Sequence, residues 1–249
     1  MRDHDRPFGL LDPVLSAGHS SGKVCLLAVS DEPSEALAAN PGPAGSVDLI
    51  VACGDLPFEY LSSLMNALDV PLVFVPGNHD PDLSGYRATR AGLMTRAGIP
   101  VRAPWPDGAV NADGRVVDLA DLRIAGLGGC PRYSSGPNQY SNRQQARRAL
   151  ALRARARCRR LRRGGAVDLL ITHAPPRDAG DDDDAPHRGF IALHGLAGAL
   201  RPTLLLHGHV HPRGGQAGPV WLKSGTPVVN VTGWHRMWVR PRAGDPRAR

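Results

Sequence analysis

The sequence predicts a mixed α/β fold, and three observations carry that prediction. Short apolar runs alternate with helix-like patterns early in the chain. Several further runs then crowd toward the C-terminus, which argues against an all-parallel sheet. The 249 residues also hold 29 glycines and 23 prolines, too many for a helical bundle and a sign of many turns.

Taken in order, strands are expected at 23–29, 47–53, 71–75, 115–119, 122–128, 167–171, 202–206, 219–222, 227–231 and 236–239. Each is β-branched or Leu-rich and bounded by Gly, Pro, Asp or Asn. Helices are expected at 57–68, 85–97, 140–163 and 187–199. Residues 1–22 are polar and read as a loose lead-in, and 241–249 as a frayed tail, leaving 23–240 as one domain. The segment 177–186 (RDAGDDDDAP) reads as a flexible, solvated loop rather than a cation site, because consecutive like charges repel.

Composition excludes several classes. With 42% hydrophobic and 21% charged residues the chain is not disordered. No run of about 18 apolar residues exists, so no membrane span is expected. The N-terminal residues lack the apolar segment and cleavage site of a signal peptide. The four cysteines (Cys25, Cys53, Cys130, Cys158) form no C-x-x-C pair and read as reduced thiols, which suggests a cytoplasmic location.

Net charge is +7, but the excess is local: residues 143–163 hold ten arginines and no acid. Subtracting those ten from +7 leaves the rest at −3. A phosphate-backbone or anionic-membrane contact is one reading of this segment. A solvated helix face is preferred, with Ala149, Leu150, Leu152, Ala156 and Leu161 as its inward stripe, because no aromatic residue is interleaved to stack on bases. Only Lys23 and Lys223 accompany 28 arginines, a bias spread along the whole chain.

The chemistry lies where apolar runs stop. Five of them end at Asp31, at Asp55, at Asn78-His79-Asp80, at His173 and at His209-Val210-His211. Ligands of open α/β sheets bind at the carboxyl ends of strands. If these strands are parallel neighbours, carboxylates, an amide and imidazoles meet in one place. That mixture of O and N donors suits Mn, Fe or Zn. Gly54, Gly77 and Gly208 each precede a candidate ligand and allow close backbone approach. His207 reads as a core residue or a support behind the ligands. His4, His19, His187, His194 and His235 read by default as ordinary structural residues.

The ordered set S-D, C-G-D, G-N-H-D, T-H-A and H-G-H-V-H resembles the calcineurin-like metallophosphoesterase superfamily, from about Lys23 to Val231. The resemblance implies two stacked mixed β-sheets flanked by helices, in four layers αββα, with a two-metal site between the sheet ends. It also implies one or two divalent metal ions. Asp55 would bridge both metals, Asn78, His173 and His209 would complete one site, and Asp31 and His211 would serve the other. His79 would face the leaving group and Asp80 would orient it. The implied activity is hydrolysis of phosphate monoesters or diesters by metal-bound hydroxide, on a small phosphate ester or nucleotide.

The sequence departs from that pattern once. Where the superfamily has Asp-x-His, this chain has Asp31-Glu32-Pro33. Glu32 or Glu35 is a conceivable substitute ligand. The preferred reading is that Pro33 opens a helix at its first position, with Glu35 as a first-turn acid. The alternative function is therefore a low-turnover nucleotide- or phosphate-binding protein with one impaired metal site. A third, a nuclease, uses the arginine segment. Candidate substrate contacts are Arg132, Tyr133, Asn138 to Tyr140, His187 and Arg188. Arginine suits phosphate because its planar fork binds two oxygens at once.

Overall fold

Side chains of a strand alternate between its two faces, so a strand whose residues are all buried must lie between two layers. VCLLAVS at 24–30 is such a strand, with all seven residues buried. The computed structural model describes residues 22–89, 93–212 and 218–242. Along the chain run β1 (Val24–Ser30), α1 (Glu35–Ala39), β2 (Leu49–Ala52), α2 (Phe58–Leu68), β3 (Leu72–Phe74), β4 (Tyr86–Ala88), β5 (Met94–Arg96) and β6 (Ile99–Pro100). These are followed by β7 (Val110–Asn111), β8 (Val116–Leu119), β9 (Leu122–Leu127), β10 (Cys130–Pro131), β11 (Gln139–Tyr140), α3 (Asn142–Arg163) and β12 (Leu169–Thr172). The described chain closes with α4 (Ala192–Leu200), β13 (Leu204–His207), β14 (Val220–Trp221), β15 (Pro227–Asn230) and β16 (Gly233–Val239).

Two mixed sheets result. The first has the order β16-β1-β2-β3-β7 and the second β14-β15-β13-β12-β9-β8. β1, β2 and β3 are mutually parallel neighbours, and so are β12 and β13. Leu26, Ala28, Val51 and Val73 of the first sheet pack against Ile124, Ile171, Leu206 and Val229 of the second. The alternate residues Leu27, Ile50 and Phe74 face Leu37 of α1 and Leu61 and Leu64 of α2. On the far side Ala125, Leu170 and Leu205 face Ala149, Leu152 and Ala156 of α3 and Leu193 and Leu196 of α4. Period-two alternation in each strand thus produces the four layers αββα.

Some expectations need correcting. The stretch 85–97 is not a helix: β4, β5 and β6 form an antiparallel sheet there, with residues 90–92 outside the described chain. Ala97 and Gly98, both at positive φ (51° and 82°), make the tight reversal from β5 to β6. The last helix begins at Ala192, not 187, because Phe190 is fully buried and its N–H donates to the Pro175 carbonyl. Leu150 and Leu161 of α3 are 65% and 78% exposed, so the inward stripe is only Ala149, Leu152 and Ala156, with Gln145. Pro33 lies outside α1: Ser34 is the N-cap, accepting from Leu37 N–H. The loop 177–189 is tied down. Asp181 accepts from Gly189 N–H, Arg177 pairs with Asp178 and Asp181, and His187 with Asp184. Asp181, Asp182 and Asp184 each hold a different donor: Gly189 N–H, Asp183 N–H and the His187 ring. The lead-in up to residue 21 and all of the tail after Arg242 lie outside the described residues.

All four cysteines are free thiols, with only Cys158 exposed. No described helix is long and apolar enough to cross a membrane.

Burial sets one pH prediction. His235 on β16 is buried, which pushes its imidazole down to about 4 against the opposing Thr232 backbone hydrogen bond. Its unfolded value is about 6.5, so the unfolded chain takes up the proton first. This contribution to stability is complete above about pH 6.5 and is lost as pH falls toward 4, on the order of 3 kcal/mol. His235→Gln should flatten urea midpoints between those pH values. An unchanged slope would assign the acid sensitivity to other groups.

Candidate metal centre

Five strand ends deliver the site. β1 leads into Asp31, β2 into Gly54-Asp55, β3 into Gly77-Asn78-His79-Asp80, β12 into His173 and β13 into His209-Val210-His211. Parallel neighbours within each sheet end at the same edge, and stacking the sheets brings the two edges together. Asp31, Asp55 and His209 all sit at positive φ (61°, 57° and 69°), which non-glycine residues rarely adopt. Such strain persists where surrounding structure over-determines it. Here backbone bonds do so: Asp31 N–H donates to the Gly54 carbonyl and Asp55 N–H to Asp80 Oδ2.

His173 is fully buried at the centre. Its Nδ1 meets the Cys53 carbonyl at 2.8 Å, which fixes Nδ1 as a donor and turns Nε2 inward. Nε2 lies 3.0 Å from Asn78 Oδ1 and 3.2 Å from Asp55 Oδ2. Asn78 is held in that orientation because its Nδ2 donates to Tyr133 OH at 3.2 Å. The ring of His209 packs on His173 at 4.8 Å between centroids. Its Nε2 is satisfied by the Pro186 carbonyl, leaving Nδ1 with the lone pair.

The electrostatics match a place for a cation. Burial opposes charge on His173, yet the Asp55 carboxylate, by hydrogen bond and by charge, raises it to about 9. Burial works against the Asp55 charge as well, but His173 and the His79 N–H hold it below the usual carboxylate range. A proton on His173 thus stands among donor atoms that a divalent ion would draw together. Burial and the neighbouring positive His173 push His209 down to about 3, so it stays a neutral donor. Asp55, His173 and His209 each offer one ligand atom, all within 4.8 Å of one another, the one such group among the described residues. The donor set fits a divalent metal ion.

Asp31 and His211 flank that group without joining it. Asp31 Oδ2 accepts from His209 N–H at 2.9 Å. His211 is exposed, and its Nδ1 meets Glu32 Oε1 at 2.9 Å. Glu32 therefore sits beside an imidazole, while Pro33 offers no donor. All of Asp31, Asp55, Asn78, His79, Tyr133, His187, His209 and His211 line one pocket of 250 Å³.

Four other candidate site residues have contacts of their own. Asp80 Oδ2 accepts from Gly77 N–H at 2.7 Å and from Asp55 N–H at 3.0 Å, bracing two loops of the site. Asn138 is turned away from the pocket, donating through Nδ2 to the carbonyls of Gly77 and Asp80. Arg132 and Arg188 line a neighbouring cleft instead of the metal pocket. The reading from sequence missed the Pro186 carbonyl on His209 and the Val210 carbonyl held by Asn230 and Thr232. These are backbone contacts between distant segments, and no local pattern announces them. His207 is buried with Nδ1 on the Gly208 carbonyl, behind the ligands.

Gly77 shows how close the loops come. A methyl group there would run into the Asp55 carboxylate and the His173 ring, and one at Gly208 into Ser30 and Asp31. Gly77→Ala should therefore cost at least about tenfold in metal affinity with little loss of fold, since disturbing the support of a ligand costs about 10–100-fold. Metal titration by calorimetry checks this, and unchanged affinity would show that the loop has room to yield.

The comparisons with known proteins agree with this geometry. The family model described as calcineurin-like phosphoesterase matches residues 32–213. One solved structure, with a TM-score of 0.56 and 14% identity, aligns over 89% of this chain and 100% of its own. Another, the crystal structure of TT1561 of Thermus thermophilus, gives a TM-score of 0.52 and 17% identity over 84% of this chain and 89% of its own. At such identities the likeness is one of fold alone. No curated protein matches the sequence. With five strand ends bearing candidate donors at one edge of two stacked sheets, and a family model matched over most of the chain, the chain belongs to the calcineurin-like phosphoesterase family.

Proposed function

We propose that this chain is a metal-dependent hydrolase of phosphate esters, monoesters or diesters, with one or two divalent ions of the Mn, Fe or Zn type. The observation that carries the reading is the convergence of Asp55 Oδ2 and Asn78 Oδ1 on His173 Nε2, within 3.2 Å, at the floor of a pocket. Divalent ions bound there supply Lewis-acid polarisation of the phosphoryl oxygens and a water acidic enough to attack at neutral pH.

The protein's own groups do the rest. Asp55 would hold either ion, with Asn78, His173 and His209 as partners for one and Asp31 and His211 for the other. Glu32 accepts from His211 Nδ1–H and so keeps Nε2 as the donor atom. The ring of His79 is exposed in the pocket, while its backbone N–H donates to Asp55 Oδ1 at 2.8 Å. Anchored there, it is placed to give a proton to the departing ester oxygen. Burial, Cys130 and Asp55 hold the Tyr133 phenol protonated. Its oxygen already accepts from Asn78, so its proton is free for a phosphate oxygen. His187, backed by Asp184, forms the opposite wall.

The test is an assay of metal-free protein on nitrophenyl phosphate and bis(nitrophenyl) phosphate with Mn²⁺, Fe²⁺ or Zn²⁺ restored in turn. Turnover should appear only with metal. Turnover that ignores chelation, or none with any metal, would falsify the reading. A second reading, a phosphate or nucleotide binder of low turnover, draws on Pro33 and on Asp31 and His211 standing outside the compact group. It would show as metal-dependent phosphate binding without turnover in the same samples.

A further inference from the structure

A cleft beside the metal pocket encloses 610 Å³ and plays no part in the chemistry above. The two share their walls. Tyr133 and His187 face the metal pocket, and the next residues on the same two loops, Arg132 and Arg188, face the cleft. One wall thus presents a phenol to one side and a guanidinium to the other, and the second wall an imidazole and a guanidinium.

Those two guanidiniums are not neutralised. Arg132 donates through Nη2 to the Gln139 carbonyl and to Gln144 Oε1, and Arg188 through Nε to the Asp183 carbonyl. Among the described residues neither forms an ion pair. Arg177, also in the cleft, is by contrast taken up by Asp178 and Asp181. Free N–H groups therefore remain on two arginines, whose forks suit phosphate oxygens. Pro131, Ala185 and Ile191 add an apolar surface, with Ile191 64% exposed. A short apolar surface beside two arginines matches a flat base next to a phosphate.

We propose that this cleft binds a nucleoside monophosphate portion of the substrate, its phosphate between Arg132 and Arg188 and its base over Ile191. The proposal builds on the phosphate-ester reading and names its substrate class: an ester whose scissile phosphate is joined to a nucleotide.

The test uses the metal-free full chain and AMP as the probe, followed by calorimetry. AMP should bind saturably at one site. Arg132→Gln and Arg188→Gln should each weaken it by about tenfold, the expected loss for one charge-assisted phosphate contact. Adenosine and ribose 5-phosphate should each bind at least about tenfold more weakly than AMP, since each lacks half of the recognised group. Asp55→Asn should change AMP binding by less than about twofold, because Asp55 lines only the neighbouring pocket. No saturation by AMP would overturn the proposal. So would a loss caused by Asp55→Asn and not by the arginine variants, which would put the phosphate at the metal centre. Nitrophenyl ester turnover in the unmodified protein separates the two readings: intact turnover without AMP binding sinks the cleft alone, and AMP binding without turnover sinks the hydrolase reading alone.

Discussion

Asp55→Asn should lower kcat/KM on nitrophenyl phosphate by about 10³-fold or more and leave the protein unable to hold metal through dialysis. The magnitude follows from what a bound ion supplies, several kcal/mol of transition-state stabilisation at about 1.36 kcal/mol per tenfold. The carboxylate is engaged on both oxygens, Oδ1 with His79 N–H and Oδ2 with His173 Nε2. An amide keeps the size but not the charge, and one of its two ends must then present N–H to a donor. His173 also loses the main influence raising its proton affinity, so its burial turns it neutral. Metal content by elemental analysis and activity should fall together. Near-parental values of both after chelation and reconstitution would remove Asp55 from the centre.

His79→Gln should separate substrates by leaving group. Esters with alkyl leaving groups should lose about 10²–10⁴-fold in kcat, the usual contribution of a general acid. Nitrophenyl esters should lose far less, because nitrophenolate departs without a proton. Metal content should stay near the parental level, since the His79 ring is exposed and forms no part of the compact ligand group. An equal loss on both kinds of ester would argue that His79 positions the phosphate or the Asp55 loop instead.

Much of this centre is legible in the residue order because strands are local. An apolar run of β-branched and leucine residues, closed by Gly-Asp or Gly-Asn-His-Asp, announces both the strand and what stands at its end. The long helix α3 is equally plain, with its Ser141 and Gln144 capping box and the Gly164 that ends it. The segment 85–97 is not, because its alternation is weak and its hairpin rests on Ala97 and Gly98, an uncommon turn pair. The helix face was legible only in part. Ten arginines dilute the apolar signal, and Leu150 and Leu161 point to solvent although their residue type argues for the core.

Residue order alone places the candidate donor side chains on strand ends. What each donor faces depends on how the layers pack. Stacking the sheets, driven by the apolar faces of β1, β2, β9, β12 and β13, brings His173 from the second sheet against Asp55 and Asn78 from the first. It also makes Asp80 a brace for two loops, and folds the acidic segment into a wall that seats Pro186 on His209. The difference is one of range. Strand and helix formation follow from neighbours a few residues apart, whereas the contacts of His173 with Cys53 and Asn78, of Asp80 with Asp55 and of Pro186 with His209 join residues 23 to 120 positions apart and exist only once the layers have packed.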